Sequence, residues 1–180
     1  LPLDATPIRF GNWMGGDRDG NPNVTAASTA RVALLARLNA CVLYAREIDR
    51  LGDELSVATA TPDITERAGS THEPYRAILR ALGRKIESVR RRCDEALALD
   101  DDLLLGSPPS RALFLDRAEL EEPLLAMFRS LHAVGLGIVA DGRLLDLLRR
   151  VAAFGTTLAP LDVRQHANVH QAALDAVTRA

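Results

Sequence analysis

Two apolar stripes that step by three and four residues dominate this chain and restrict its folds to helical ones. The first runs through Leu34, Leu38, Val42, Ala45, Ile48, Leu51 and Leu55, and the second through Tyr75, Ile78, Leu82, Ile86, Val89, Cys93 and Leu97. Such spacing lines one face of an α-helix and is incompatible with a strand, whose faces alternate every residue. Each stripe predicts a helix longer than most in globular proteins, and a long helix needs an equally long neighbour. An antiparallel hairpin over residues 25–98 is therefore expected, entered at Asn23 or Thr25 as N-cap and re-entered at about Thr71. Arg80, Arg84 and the Arg90-Arg91-Arg92 run fall on its solvent face. Residues 57–70 read as a loop, and residues 100–115, with Ser107-Pro108-Pro109-Ser110, as a second break.

The remainder is also mostly helical. Asp116 and Glu119 have the spacing of a capping box. The helix behind them buries Leu120, Leu124, Met127, Phe128 and Leu131, with Pro123 placed to kink it and Gly135 and Gly137 to end it. Asp141 is expected to cap a shorter helix carrying Leu144, Leu145, Leu148 and Val151, which Gly155 stops. Thr157–Arg164 reads as a buried strand and Thr6–Phe10 as a short one. Asn168 begins a last helix. Strands so far apart cannot form a hairpin, so they need a parallel neighbour or a larger sheet.

Composition narrows the function classes. The chain has 180 residues, 47% apolar and 26% charged, with a formal net charge of −2. That balance excludes a disordered chain and argues against a general nucleic-acid binder. No continuous run of about 18 apolar residues predicts a membrane span, and no secretory signal is evident. Cys41 and Cys93 form neither a disulfide framework nor a zinc spacing, which suits a reducing, cytoplasmic setting and core packing. Lys85 is the only lysine. The chain opens at Leu1 and closes at Ala180 within a helical pattern, so it reads as a piece of a longer protein.

Two stretches can carry chemistry. In Trp13-Met14-Gly15-Gly16-Asp17-Arg18-Asp19-Gly20-Asn21-Pro22, glycines allow tight turns and close approach. Asp17 and Asp19 flank Arg18 and could fix its fork for an anion near a helix N-terminus. A calcium loop fails, because Pro22 and Ser28 occupy the glycine and glutamate positions. No Walker loop or dinucleotide fingerprint is present. The alternative is a rigid loop stapled by Asp–Arg pairs. The second stretch is Leu161-Asp162-Val163-Arg164-Gln165-His166. An arginine at the C-terminal end of a parallel strand stands where α/β folds bind ligands; the alternative is a salt-bridge arginine. His72 and His132 read as caps or surface groups. His166 and His170, four residues apart, could share a metal, but no third ligand lies nearby.

The run Phe10-Gly11-Asn12-Trp13-Met14-Gly15-Gly16-Asp17-Arg18-Asp19-Gly20-Asn21-Pro22-Asn23-Val24-Thr25 resembles the signature of the phosphoenolpyruvate carboxylase family. The likeness continues in Glu54-Leu55-Ser56, Glu73-Pro74-Tyr75-Arg76, Gly137 to Gly142, Phe154-Gly155 and Leu161 to Gln165, in the family's order. The resemblance implies a large, mainly helical enzyme on a (β/α)8 barrel, a homotetramer that joins bicarbonate to phosphoenolpyruvate with Mg2+ or Mn2+. Oxaloacetate and phosphate are the products, by way of carboxyphosphate and an enolate. It implies that Arg164 grips the substrate phosphate and that Trp13 walls the bicarbonate or carbon dioxide pocket. Arg18, with Asp17, Asp19 and Asn21, would shape the site.

The family's Thr-Ala-His-Pro-Thr histidine, its Gly-Tyr-Ser-Asp-Ser region and its His-Gly-Arg-Gly-Gly loop are absent from these residues. No metal ligand is therefore expected in this segment, and the segment alone should be inactive. The expected architecture is mainly α: a long helical hairpin plus short parallel strands belonging to an incomplete (β/α)8 barrel. Residues 1–180 would be an internal segment of that barrel, with the hairpin at 25–98 and helices with a barrel strand at 116–180. A rival is a non-catalytic helical interaction module.

Overall fold

The long hairpin is present. In a computed structural model, which describes residues 2–3, 5–69, 72–106 and 115–179, helix α1 spans Ala26–Glu54 and α3 spans Pro74–Leu97. Thr25 caps α1, its hydroxyl accepting from the Ser28 amide at 3.1 Å. Pro74 starts α3, where its missing N–H costs nothing. The helices run antiparallel, and arginines at both ends tie them. Arg31 near the start of α1 donates to the Leu97 carbonyl at 2.8 Å, and Arg76 near the start of α3 donates to the Gly52 carbonyl at 2.5 Å. Each satisfies a carbonyl left over at a helix C-terminus.

The second stripe is buried as expected except at its end, Leu97. The first is rotated. Ile48, Leu51 and Leu55 are buried, but Leu34, Leu38, Val42 and Ala45 are half-exposed, and Cys41 and Tyr44 take the inner line. Both cysteines are free and buried, and burial pushes the Cys41 thiol up to about 11. One 18-residue window of α1 is also apolar enough to cross a membrane by length and composition, with mean hydropathy 1.3. Length and composition thus qualify the expectation that nothing could span a bilayer; the helix packs its Cys41–Leu55 side against α3.

The stretch 57–70, expected as loop, contains helix α2, Pro62–Ala68. Pro62 opens it rather than breaking it, Ile64 is fully buried, and Gly69 at φ +60° closes it. The second expected break contains α4, Asp101–Gly106, capped where the Leu103 amide meets the Asp100 carboxylate at 2.8 Å. Ser107-Pro108-Pro109-Ser110 and the predicted α3 start at Thr71 lie outside the described residues.

Helix α5, Arg117–Ala133, has the predicted capping box and carries Pro123 without ending. Beyond Gly135 come α6, Gly137–Val139, a wide turn over Ala140–Leu144, and α7, Leu145–Phe154. Asp141 therefore sits inside the wide turn and caps nothing; its carboxylate lies 3.0 Å from His132 Nε2. The turn exists because Gly142 has ψ −129°, which no helix allows. Helix α8, Ala167–Thr178, follows the His166 cap and buries none of its described residues.

Leu120, Leu124, Met127, Leu131, Leu144, Leu147 and Val151 join the hairpin's inner face in one core. A polar knot crosses it. Ser130 Oγ accepts from the Thr61 amide at 3.0 Å and the Thr61 hydroxyl at 2.8 Å, and lies 2.8 Å from Tyr75 Oη. Removing the hydroxyl strands these partners inside the core, so Ser130→Ala should cost about 1–3 kcal/mol. Urea unfolding of the variant against the parent checks this; equal midpoints would mean the knot contributes nothing.

The two expected strands are not formed among the described residues. Instead two isolated parallel bridges, Asn12 with Leu161 and Asp17 with Arg164, join the segments. Pairing breaks between them because a tight turn fills the gap: the Gly16 and Asp17 amides both donate to the Trp13 carbonyl, at 2.9 and 3.1 Å. Nor is Thr157–Arg164 buried; Asp162, Val163 and Arg164 are exposed. The described residues thus form a mainly helical fold with no strand and no barrel.

Candidate functional site

Both stretches singled out for chemistry lie side by side. The Asn12 amide donates to the Pro160 carbonyl at 2.9 Å, and the Asp162 amide to the Asn12 carbonyl at 2.7 Å. The Arg164 amide donates to the Gly16 carbonyl at 2.9 Å, and the Arg18 amide to the Arg164 carbonyl at 3.0 Å. The parallel neighbour that each segment needed is therefore the other one.

Glycine makes the approach possible. A Cβ on Gly16 would stand 2.2 Å from the Asp162 carbonyl oxygen, and one on Gly15, at φ +79°, 2.5 Å from a Val32 methyl. No side chain fits either position without moving backbone or α1.

Pairing brings Arg164 to Asp17. One Nη lies 3.8 Å from the Asp17 carboxylate, and the Arg164 side chain is 61% exposed. So long and open a contact orients the guanidinium but leaves its fork available. Trp13, 62% exposed, and Met14 form the turn between the two bridges. The paired segments thus carry an exposed indole and an exposed guanidinium, one able to offer an apolar wall and the other a positive charge.

Arg18 behaves differently from expectation. Neither Asp17 nor Asp19 forms a salt bridge with it among the described residues. It donates instead to Thr29 Oγ1 at 2.8 Å, and that hydroxyl donates to the Gly15 carbonyl at 2.8 Å. Its Nε is buried without a partner. Arg18 therefore fastens the loop to the first turn of α1. Asp17 shares its carboxylate between the Asp19 amide, at 3.2 Å, and Arg164. Asn21 closes a local turn onto the Asn23 amide at 3.1 Å. The staple thus runs between the two segments, from Asp17 to Arg164, and not within the loop.

Thr29, Tyr44 and the Phe10–Phe154 pair were not legible as site residues. Tyr44 Oη donates to the Gly155 carbonyl at 2.5 Å, and Phe10 stacks on Phe154 with centroids 5.1 Å apart. Each contact joins residues far apart in sequence; Phe10, Phe154 and Gly155 lie in stretches that carry the family resemblance, but nothing local signals their pairing. No group of three His, Cys, Asp or Glu residues that could hold a metal occurs among the described residues, His166 and His170 included.

The fold and site define a mainly helical protein that presents a glycine-shaped loop, an open indole and an oriented arginine on one paired edge. The sequence model of the phosphoenolpyruvate carboxylase family matches residues 1–180, and the chain belongs to that family. It is 48% identical over 178 residues to the phosphoenolpyruvate carboxylase of Ectopseudomonas mendocina (strain ymp), an alignment covering 99% of this chain and 20% of that protein. It is 49% identical to that of Pseudomonas aeruginosa (strain PAO1) and 47% to that of Pseudomonas fluorescens (strain Pf-5), with the same coverage. The chain spans about a fifth of the length of these curated relatives.

Proposed function

We propose that this chain is the part of a phosphoenolpyruvate carboxylase that supplies Arg164 to the substrate phosphate and Trp13 to the wall of the bicarbonate and carbon dioxide pocket. One observation carries the reading: backbone pairing sets an exposed guanidinium beside the glycine-rich loop that holds the exposed indole. A planar cation aimed by Asp17 can hold two phosphate oxygens and offset the charge that moves as bicarbonate attacks phosphorus. An indole beside it would keep water from the enolate until carbon dioxide is captured.

Mg2+ or Mn2+ belongs to this reaction as a Lewis acid toward phosphoryl oxygens. No cluster of three suitable ligands for it occurs among the described residues. The cation's ligands and the acid–base groups are read as belonging to the other four-fifths of the polypeptide, as the absence here of the family's Thr-Ala-His-Pro-Thr and Gly-Tyr-Ser-Asp-Ser stretches supports. The two bridged segments are read as neighbouring edges of a barrel completed there, which their parallel sense supports. The parent is read as a cytoplasmic homotetramer that binds no nucleic acid or membrane; buried free thiols and the small net charge support the setting.

The full-length protein should form oxaloacetate and phosphate from phosphoenolpyruvate and bicarbonate, and failure to do so overturns the reading. Trp13→Ala should still release phosphate but yield less oxaloacetate per phosphate. Coupled assays of both products measure that ratio, and an unchanged ratio removes Trp13 from the wall.

A further inference from the structure

The segment that carries Arg164 is tethered at its root. Helix α7 ends at Phe154 and Gly155, and the chain then runs ten residues to Arg164, counting Gly155 itself. Gly155 turns at φ +57° and ψ −146°, a conformation that only glycine adopts readily. Its carbonyl receives the Tyr44 phenol at 2.5 Å, from a side chain almost wholly inside the core. Next to it, Phe154 stacks on Phe10, which leads directly into the loop of Trp13 and Asp17. Leu158, at φ +65°, packs against the core, and Pro160 and Asp162 are already paired to Asn12. Both edges of the site therefore leave from one joint, Phe154-Gly155.

We propose that Tyr44 is a positioning residue for Arg164: by holding the Gly155 carbonyl it sets where the 155–164 segment starts, and so where the guanidinium stands against the loop. The inference rests on the assignment of Arg164 to the substrate phosphate. Tyr44 touches no substrate; it acts through the backbone. Its phenol suits a permanent tether, because burial pushes it up to about 12 and it stays a donor at working pH. Helix α7 and the wide turn before it are held to α1 as well: Glu47 lies 2.9 Å from Arg150 within α7 and 3.5 Å from Arg143 in the turn. Tyr44 fixes the start of the 155–164 segment, as the Phe154–Phe10 stack fixes the start of the loop.

The test uses the full-length enzyme with Tyr44→Phe, Arg164→Ala and the double variant, reading KM for phosphoenolpyruvate and kcat separately. Tyr44→Phe keeps the ring in the core and removes only the hydroxyl. It should raise KM about five- to tenfold, as loss of one hydrogen bond allows, with kcat held within about twofold. In the Arg164→Ala background the same change should add nothing, since both act through one group. Ser130→Ala, which loosens the same core away from this joint, should leave KM unmoved.

A Tyr44→Phe enzyme with wild-type KM, or with an effect that simply adds to Arg164→Ala, overturns the proposal while leaving Arg164 in the site. An Arg164→Ala enzyme with unaltered kinetics overturns the site assignment and the proposal together. Should Tyr44→Phe not fold, Phe10→Leu cuts the neighbouring tether from an exposed position. It is expected to raise KM severalfold, and no rise would count against the joint.

Discussion

Arg164→Ala in the full-length enzyme is expected to lower kcat/KM for phosphoenolpyruvate by roughly two to four orders of magnitude. A guanidinium holding phosphate by two charge-assisted hydrogen bonds loses about 1.5–3 kcal/mol for each when truncated, and about 1.4 kcal/mol is a factor of ten. Among the described residues, nothing competes strongly for the fork. Its carboxylate neighbour, Asp17, stands 3.8 Å away, and the side chain is open to solvent. Arg164→Lys should recover only part of the loss, since an ammonium keeps the charge but not the planar fork. Steady-state kinetics across phosphoenolpyruvate concentrations decide it, and a change smaller than threefold would remove Arg164 from the phosphate.

Gly16→Val is expected to abolish turnover while leaving the helices intact. Its Cβ would fall 2.2 Å from the Asp162 carbonyl oxygen and 3.1 Å from that carbonyl carbon. Both are backbone atoms, so no rotamer relieves the clash; the segments must part. Parting breaks the amide–carbonyl pairs at Gly16, Arg18 and Arg164, and with them the register between Trp13, Asp17 and Arg164. The hairpin core, from Cys41 to Val89, is untouched, so far-UV circular dichroism should match the parent. Gly20→Ala is the comparison: no atom lies within 4 Å there, and only the φ of +73° is strained. It should cost about 1–2 kcal/mol in stability and leave activity measurable. Equal activity in Gly16→Val and the parent would show that the two segments need not pair.

Much of the helical scaffold was legible because its signals are local. The Tyr75–Cys93 stripe, the Thr25 cap, the Asp116–Glu119 box and the Gly155 stop each act within one or two turns, and each stands as read. The first stripe is right at Ile48, Leu51 and Leu55 and turned by about a third of a turn before them, where Cys41 and Tyr44 take the inner line and Leu34, Leu38 and Ala45 pack at its side. Helix α1 carries apolar residues on more than one side, Leu35 and Leu43 among the exposed ones, so periodicity leaves its inner line undetermined. Short α2 and α4 were hidden by Thr, Gly, Pro and Asp, residues that serve as helix starts as readily as loops.

What the sequence determined by itself was a mainly helical chain built on a long antiparallel hairpin; it also singled out Trp13, Asp17, Arg18 and Arg164 as candidates for chemistry. Tertiary structure alone decided the partners. It turned Arg18 away from its flanking carboxylates to Thr29, gave Asp17 to Arg164, and tied both edges of the site to Phe154-Gly155 through Phe10 and Tyr44. Hydrophobic period and capping are governed by neighbours within a few residues. Which charge meets which across a hundred and more residues depends on how the helices pack and on whether a glycine lets two backbones touch.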